Sequence, residues 1–334
     1  MQFNVEQLFT PISLGKFLYS IKAPAHFFSD FVYKTKEVIV DKIYGYAKPK
    51  NYNKRAIAVA DEAESMQVEN DSVDGNMIAL PEAREKVFIS LETLRNLTYA
   101  YQGQNVLEDK IGQLKKRLKI YKEWLFSQVV STGKIVINEI NYSVDFGLKQ
   151  NHKYTATGGE KWDSNNANII KQLETAVQRI RSDYGIAPTK LILGGDLLPL
   201  FLQNEQISSI FDNRRYMLGV IQPNDYYIGE IFISGVRLEI YGVSDLFTNT
   251  DSQEQPFVDP KTAILLNDSE YYYVERTIPD KFMEIYGGLS EVQNVENIYI
   301  DKFINYDPRG IWLRTLYSFV PILNPDTVYI IKAV

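Results

Sequence analysis

The stretch "NVLEDKIGQLKKRLKIYKEWLFSQVVSTGKIVINEINYSVDFGLK", residues 105–149, decides the fold, because a long helix passes through one glycine straight into a strand pair. Asn105 stands where a helix is capped, Glu108 follows three residues on, and Gly133 stands where the helix ends. Leu107, Ile111, Leu114, Leu118, Tyr121 and Leu125 recur at alternating steps of four and three, which gives one apolar stripe. Lys115, Lys116, Arg117 and Lys122 read as the opposite, solvated face. At about 1.5 Å per residue such a helix is roughly 40 Å long, longer than a globular helix usually is. Beyond it, "KIVINEINYSVDFGLK" alternates with period two on both sides of Asn138-Glu139, the pattern of a hairpin.

Asp145-Phe146-Gly147 matches the tripeptide that holds magnesium in protein kinases, yet phosphoryl transfer needs more than three letters. His26 and His152 are followed by Phe27 and Lys153, so there is no His-Arg-Asp, and no G-x-G-x-x-G occurs. Phe146 is expected instead to share a strand face with Val144 and Tyr142, with Gly147 easing a bend. Two other glycine turns fail as phosphate cradles. "GGD" at 194–196 follows a strand and could offer amides to an anion, but the P-loop pattern is missing. The Gly-Lys of "STGKI" at 131–135 ends a helix instead of starting one. Both read as structural turns.

Composition sets wider bounds. With 334 residues, 45% hydrophobic and 23% charged, the chain can bury a sizeable core in one or two domains. There is no cysteine, which removes disulfides, thiolate metal sites and cysteine nucleophiles. Only two histidines leave little room for a His-rich metal site or a Ser-His-Asp triad. No cofactor, metal or catalytic residue is expected. A formal charge of -6 and a pI near 5.2 argue against a dedicated nucleic-acid surface, since binding phosphates takes clustered Lys and Arg. The start "MQFNVEQLFT" is no signal peptide, and no run of eighteen apolar residues suggests a membrane span.

Working outward, residues 1–40 hold apolar clusters such as "APAHFFSDFVY" without a sustained period, as in an arm that packs on something else. Residues 41–90 read as extended, with "AIAVA" at 56–60, an acidic tip at 61–76 and "REKVFISLE" returning. A lone hairpin is marginal in water, so this flap needs a cover. "NANIIKQLETAVQRIRSDYG" predicts a second helix, from Asn166 as cap to Gly185, with Ile169, Leu173, Val177 and Ile180 inward. "TKLILGGDLLPLFLQN" reads strand, turn, helix. Residues 219–334 are strand-rich and aromatic, with "RLEIYG", "YYYVE", "KFMEIYG" and "TVYIIKAV". The tyrosines of "YYYVE" at 271–275 suit a sheet or interface better than base stacking, because no basic groove adjoins them.

Taken in order, these stretches resemble the phage major capsid protein E family of lambda-like phages, whose fold is the α+β Hong Kong 97-type. The resemblance is carried by "APAHFFSDFVY", the flap, "KEWLFSQVVSTGKI" running into a hairpin ending "VDFG", "KWDSNNANIIKQLETAVQRI", "GIAPTKLILGGDLLPLFLQNEQISSIFDNRR" and "LYSFVPILNPDTVYIIKAV". It implies an N-terminal arm (1–40), an E-loop (41–98), a peripheral domain with a spine helix (99–164, completed by 315–334) and an axial domain (165–314). It also implies an intersubunit role for Lys54, Arg55, Asp61, Glu62, Glu64 and Glu69 of the E-loop. By the same resemblance the chain forms hexamers and pentamers of an icosahedral shell around double-stranded DNA, bound without sequence specificity. The implied partners are a scaffolding protein or domain, a portal, a maturation protease and a decoration protein. The implied location is the virion, assembled in the host bacterial cytoplasm.

Two other functions fit parts of the pattern. An encapsulin-like compartment shell has the same fold and differs in its gene neighbours. An enzyme built on carboxylates such as Asp196, Asp212 or Glu230 needs two acids converging in a pocket, and nothing in the sequence brings them together.

Overall fold

The computed structural model describes residues 26–48, 74–93, 103–164, 167–212, 219–277, 293–295 and 297–334. A π-helical turn (Phe28–Val32) leads into β1 (Thr35–Ile39), β2 (Ile43–Lys48), β3 (Asp74–Ala79), β4 (Glu82–Ser90) and the long helix α1 (Gly103–Thr132). There follow β5 (Lys134–Ile137), β6 (Tyr142–Asp145), β7 (Lys153–Thr155), α2 (Ile169–Tyr184), β8 (Lys190–Gly194), α3 (Leu197–Gln203) and α4 (Glu205–Asp212). The remainder is strand: β9 (Gly219–Asn224), β10 (Tyr227–Ile233), β11 (Val236–Val243), β12 (Leu246–Thr248), β13 (Glu254–Pro256) and β14 (Thr262–Leu266). Last come β15 (Tyr272–Arg276), β16 (Gln293–Val295), β17 (Ile298–Tyr306), β18 (Arg309–Ile322) and β19 (Val328–Lys332).

These elements form two compact units. Of the described residues, one holds 26–44, 79–93, 103–126, 272–277, 293–295 and 297–322, the other 45–48, 74–78, 127–164, 167–212, 219–271 and 323–334. Compactness divides the chain at other places than the peripheral (99–164 with 315–334) and axial (165–314) ranges that the resemblance implies. The segment 315–334 is split after Ile322, because β18 pairs with β4, β15 and β17 whereas β19 pairs with β7 and β14. Likewise 272–314, expected in the axial domain, supplies strands to the unit that holds most of α1.

In the first unit β18 organises the sheet. Its first half lies between β17 and β4, and Phe319–Ile322 pair with β15, which in turn holds β1 in parallel. The burial of β18 alternates over its first half and becomes continuous from Tyr317, as expected where a strand turns from half-covered to fully covered. On α1, Leu107, Ile111, Leu114, Leu118 and Leu125 are buried and Tyr121 is half-buried. Lys116 and Arg117 are exposed, but Lys115 and Lys122 are not solvated as the sequence suggested. Lys115 stands four residues after Ile111 and three before Leu118, and Lys122 four after Leu118 and four before Phe126. Both positions fall on the stripe itself.

In the second unit a seven-stranded sheet runs β7-β19-β14-β8-β11-β10-β9. Its central strands β8 and β14 are buried at every position, so beyond Lys190 and Thr262 at their starts their sequences are apolar without alternation. Helix α2 lays Ile169, Leu173, Ala176, Val177 and Ile180 into the core of this unit, beside Leu191, Leu193 and Leu265. Its cap is Asn168, two residues beyond the expected Asn166: the Asn168 side chain accepts from the Lys171 amide at 3.0 Å. Gly185 closes it with φ 92°.

The helix-to-hairpin passage has a local cause. Gly133 takes φ 74°, and its N–H bonds Val129 O at 2.8 Å. The Gln128 amide then both donates to Val136 O (3.1 Å) and accepts from Val136 N–H (3.0 Å), standing in for a neighbouring strand beside β5. Asp145 ends β6 opposite Lys134, whose Nζ lies 2.7 Å from its carboxylate, while the Gly147 N–H donates to the other oxygen at 2.8 Å. The Lys134 and Gly147 donors hold the Asp145 carboxyl below its usual range. Phe146 beyond it is buried.

The flap is described only at its base, where β2 pairs with β3. Asp74, Gly75 and Asn76, expected in the polar tip, already belong to β3. The returning strand β4 pairs with β18 over nine residues. "AIAVA", Lys54, Arg55, Asp61, Glu62, Glu64 and Glu69, the first 25 residues and "KFMEIYG" lie outside the described residues.

Candidate assembly surfaces

The most concentrated polar cluster lies within the first unit, around Glu275 of β15. This carboxylate is buried and accepts from Lys122 Nζ (3.2 Å), Lys36 Nζ (3.5 Å), Asn297 Nδ2 (2.8 Å) and the Tyr317 hydroxyl. Lys122 Nζ also sits 3.6 Å over the Tyr273 ring. Burial pulls the Lys122 ammonium down to about 8 in spite of Glu275. Burial also raises Glu275, but the charges and donors around it win and leave it below the carboxylate range. Both groups are therefore charged at neutral pH, and the cluster ties α1 to β15, β18 and β1. Each lone pair is taken by a donor of the same unit, which describes a structural pin.

The second unit has two comparable pins. Lys190 Nζ reaches Glu239 (2.8 Å) and Asp268 (3.4 Å), joining β8 to β11 and to the turn after β14. His152, wholly buried, spans from Val328 O (2.7 Å) to Asp183 (2.9 Å). A depression of about 280 Å³ near the start of α2 is lined by Tyr154, Glu160, Lys171 and Tyr329 among others. Its polar groups bond one another: the Tyr154 hydroxyl donates to Glu160 at 2.7 Å, and Gln172 donates to Glu160 O at 2.7 Å.

The carboxylates weighed as catalytic do not meet. Glu230 pairs with Arg237 across β10 and β11, Asp196 opens α3, and the Asp212 side chain lies outside the described residues. The Asp196 N–H donates to Pro260 O at 3.2 Å, so this amide of the Gly-Gly-Asp turn faces chain and not an anion. A Cβ on Gly194 would lie 2.3 Å from Asp259 O, which explains the glycine by close backbone approach. Among the described residues no group of three His, Cys, Asp or Glu could hold a metal, and no helix is long and apolar enough to cross a membrane.

Among the described residues the fold also leaves large apolar side chains uncovered. At the free end of the β17–β18 hairpin Ile304 is 65% and Tyr306 81% exposed, and Phe303 joins Trp312 and Phe88 in one cross-strand row. Those rings carry Lys86 over Trp312 at 4.5 Å and Arg314 over Phe303 at 5.8 Å. Met77 of β3 is 83% exposed. Sequence reasoning passed over these residues, since "IYIDKFINY" alternates like any half-covered strand and does not say which face meets solvent.

A two-unit α+β subunit with a long helix feeding a hairpin and bare apolar strand ends is the architecture of a shell-forming capsid protein. A sequence model of the phage major capsid protein E family matches residues 27–333, and the chain belongs to that family. It is a phage capsid shell protein of the Hong Kong 97-type fold. Among solved structures it is similar to a protein assigned as the capsid protein of a prophage of E. coli CFT073, with TM-score 0.62, 16% identity and complete coverage of both chains. The mature capsid of bacteriophage PhiM1 matches with TM-score 0.51 and 12% identity over 93% of this chain and 88% of that one. An encapsulin from Synechococcus elongatus PCC 7942 matches equally well, with TM-score 0.51 and 11% identity over 95% and 89%. No curated protein matches in sequence.

Proposed function

We propose that the subunit assembles as hexamers and pentamers into an icosahedral shell around packaged double-stranded DNA, in the cytoplasm of a bacterial host. The observation that carries this reading is the exposed apolar end of β17–β18, on a chain whose family builds phage heads. Exposed as they are among the described residues, Ile304 and Tyr306 would gain burial against a neighbouring subunit in a shell. The net charge of -6 suits an inner wall that does not grip DNA. The subunit acts as a building block and not as an enzyme. A scaffolding protein or domain, a portal, a maturation protease and a decoration protein are its expected partners. The encapsulin reading has the fold in its favour, and the family match favours the phage head. Electron microscopy of the protein expressed with its scaffold tests the proposal: closed shells are expected, and a compact monomer under every assembly condition would overturn it.

Ile304→Asp combined with Tyr306→Ser should change subunit stability by less than about 0.5 kcal/mol, as surface substitutions do. The same pair should sharply reduce shell yield. Denaturation of the soluble subunit and negative-stain particle counts read the two effects separately, and unchanged yield would remove this hairpin end from the interface.

The flap supplies a further prediction. Because β3 begins at Asp74, replacement of residues 61–72 by a short Gly-Ser turn spares the β2–β3 ladder. Thermal unfolding of the subunit should be nearly unchanged. Closed shells should fail to form or should fall apart at lower denaturant. Shells as stable as wild type would show that the flap is not an intersubunit element.

A further inference from the structure

We propose that Glu123 is a pH-sensitive latch that seats residues 26–33 against α1, tightening as the medium acidifies and loosening as pH rises toward neutrality. The inference starts from a carboxylate in an unexpected place. Glu123 lies on α1 one residue after Lys122 and is 1% exposed. Its oxygens accept from the Phe28 N–H, from the Ser29 N–H at 3.0 Å and from the Ser29 hydroxyl at 2.8 Å. These amides open the π-helical turn Phe28–Val32, whose own N-cap, Phe27, makes no side-chain cap bond. A residue some 95 positions away in sequence therefore supplies the cap.

The rest of the seat is apolar. Phe27, Phe28, Val32 and Tyr33 are all buried, and Tyr33 stacks on Phe126 at 4.2 Å. Glu123 and Phe126 lie three residues apart on α1, so polar and apolar contacts grip the segment from one helix face. The titratable groups nearest the contact along the chain are His26, Asp30, Tyr33 and Lys34 on the segment's side and Lys119, Tyr121 and Lys122 on the helix. Lys122 is turned to Glu275, and Asp30 adds a like charge near Glu123. Neutral donors thus face an acid that burial disfavours as an anion.

The direction follows from linkage. Burial raises the Glu123 carboxyl from its ordinary 4.5 to about 7, more than its three donors lower it. When the segment lifts, Glu123 meets water and regains its ordinary value. A group whose closed-state value is raised contributes stability that is complete below the open-state value and is lost as pH rises through the closed-state one. Seating should therefore weaken about tenfold per pH unit between 4.5 and about 7, then level off. This deepens the assembly reading by giving the root of the N-terminal segment a control, and its test does not depend on that reading because it uses the unassembled subunit.

The experiment is amide hydrogen exchange between pH 5 and 9, corrected for intrinsic rates, with the α2 amides of Leu173 and Val177 as internal reference. Phe28 and Ser29 should open progressively more up to about pH 7 and no further, while the reference amides do not follow. Glu123→Gln keeps an acceptor oxygen without a charge and should flatten the profile. Ser29→Ala removes the hydroxyl donor that favours the anion and leaves the N–H in place, so its profile should level off at a higher pH than wild type. A wild-type profile parallel to the α2 reference, or a Glu123→Gln profile with the wild-type slope, overturns the latch. Should Glu123→Gln fail to fold, a Ser29→Ala profile identical to wild type does the same.

Discussion

Glu275→Ala is expected to destabilise the unit built on β18 by about 3–5 kcal/mol, the usual cost of stripping a buried charge of its partner. Lys122 would keep its place over Tyr273 without its 3.2 Å counter-ion, and Asn297 and Tyr317 would lose their acceptor. The ammonium, already drawn down to about 8, can shed its proton at neutral pH, which sets the cost toward the lower end. Lys122→Met with Glu275→Leu removes both charges and should recover much of the loss, because the rings of Tyr273, Phe126 and Phe319 around Lys122 suit an apolar chain. Glu275 is lowered in the fold, so its contribution is present above the unfolded value of 4.5 and fades as pH falls through the lower folded one. Urea denaturation followed by Trp124 and Trp312 in a Trp162→Phe background reports on this unit alone. A loss below about 0.5 kcal/mol for Glu275→Ala would mean that the cluster is not the pin described above.

What could be read from residues alone was whatever a single element decides. The period of Leu107 to Leu125, the glycine at 133 and the alternation of "KIVI" and "YSVD" are properties of one helix and one hairpin, and they appear where the pattern placed them. Lys122 was misread because its charge was weighed above its position: four residues from both Leu118 and Phe126, it had to face inward, and the carboxylate that permits this lies 153 residues away. Glu123 was invisible for the same reason, since its partners Phe28 and Ser29 are joined to it only by the tertiary fold. The division after Ile322 depends on strand pairing, and "LYSFVPILNPDTVYIIKAV" reads as apolar strand on both sides of Asn324-Pro325. Family resemblance gave the class of protein from the order of elements, but the pins that join those elements are formed only by the tertiary fold.

Leu118→Asp should be the most damaging single change in α1, at about 5 kcal/mol. Leu118 is 1% exposed at mid-stripe, so truncating it costs what a Leu→Ala change in a core does, about 2–5 kcal/mol, and an unpaired polar group adds about 1–3 more. The new carboxyl would stay protonated to an unusually high pH, since burial raises an acid that has no donor to oppose it. The variant should therefore be less crippled at pH 5 than at pH 8, the opposite of what loss of a normal surface carboxylate gives. Lys116→Asp, two residues earlier but exposed, is the matched control and should cost under about 0.5 kcal/mol. Denaturation of both purified subunits at the two pH values, with particle counts beside them, makes the comparison. If the two variants lose stability alike, or if both build shells in normal yield, then α1 does not present Leu118 to the core of its own subunit, and the facing of the helix on which the unit rests is wrong.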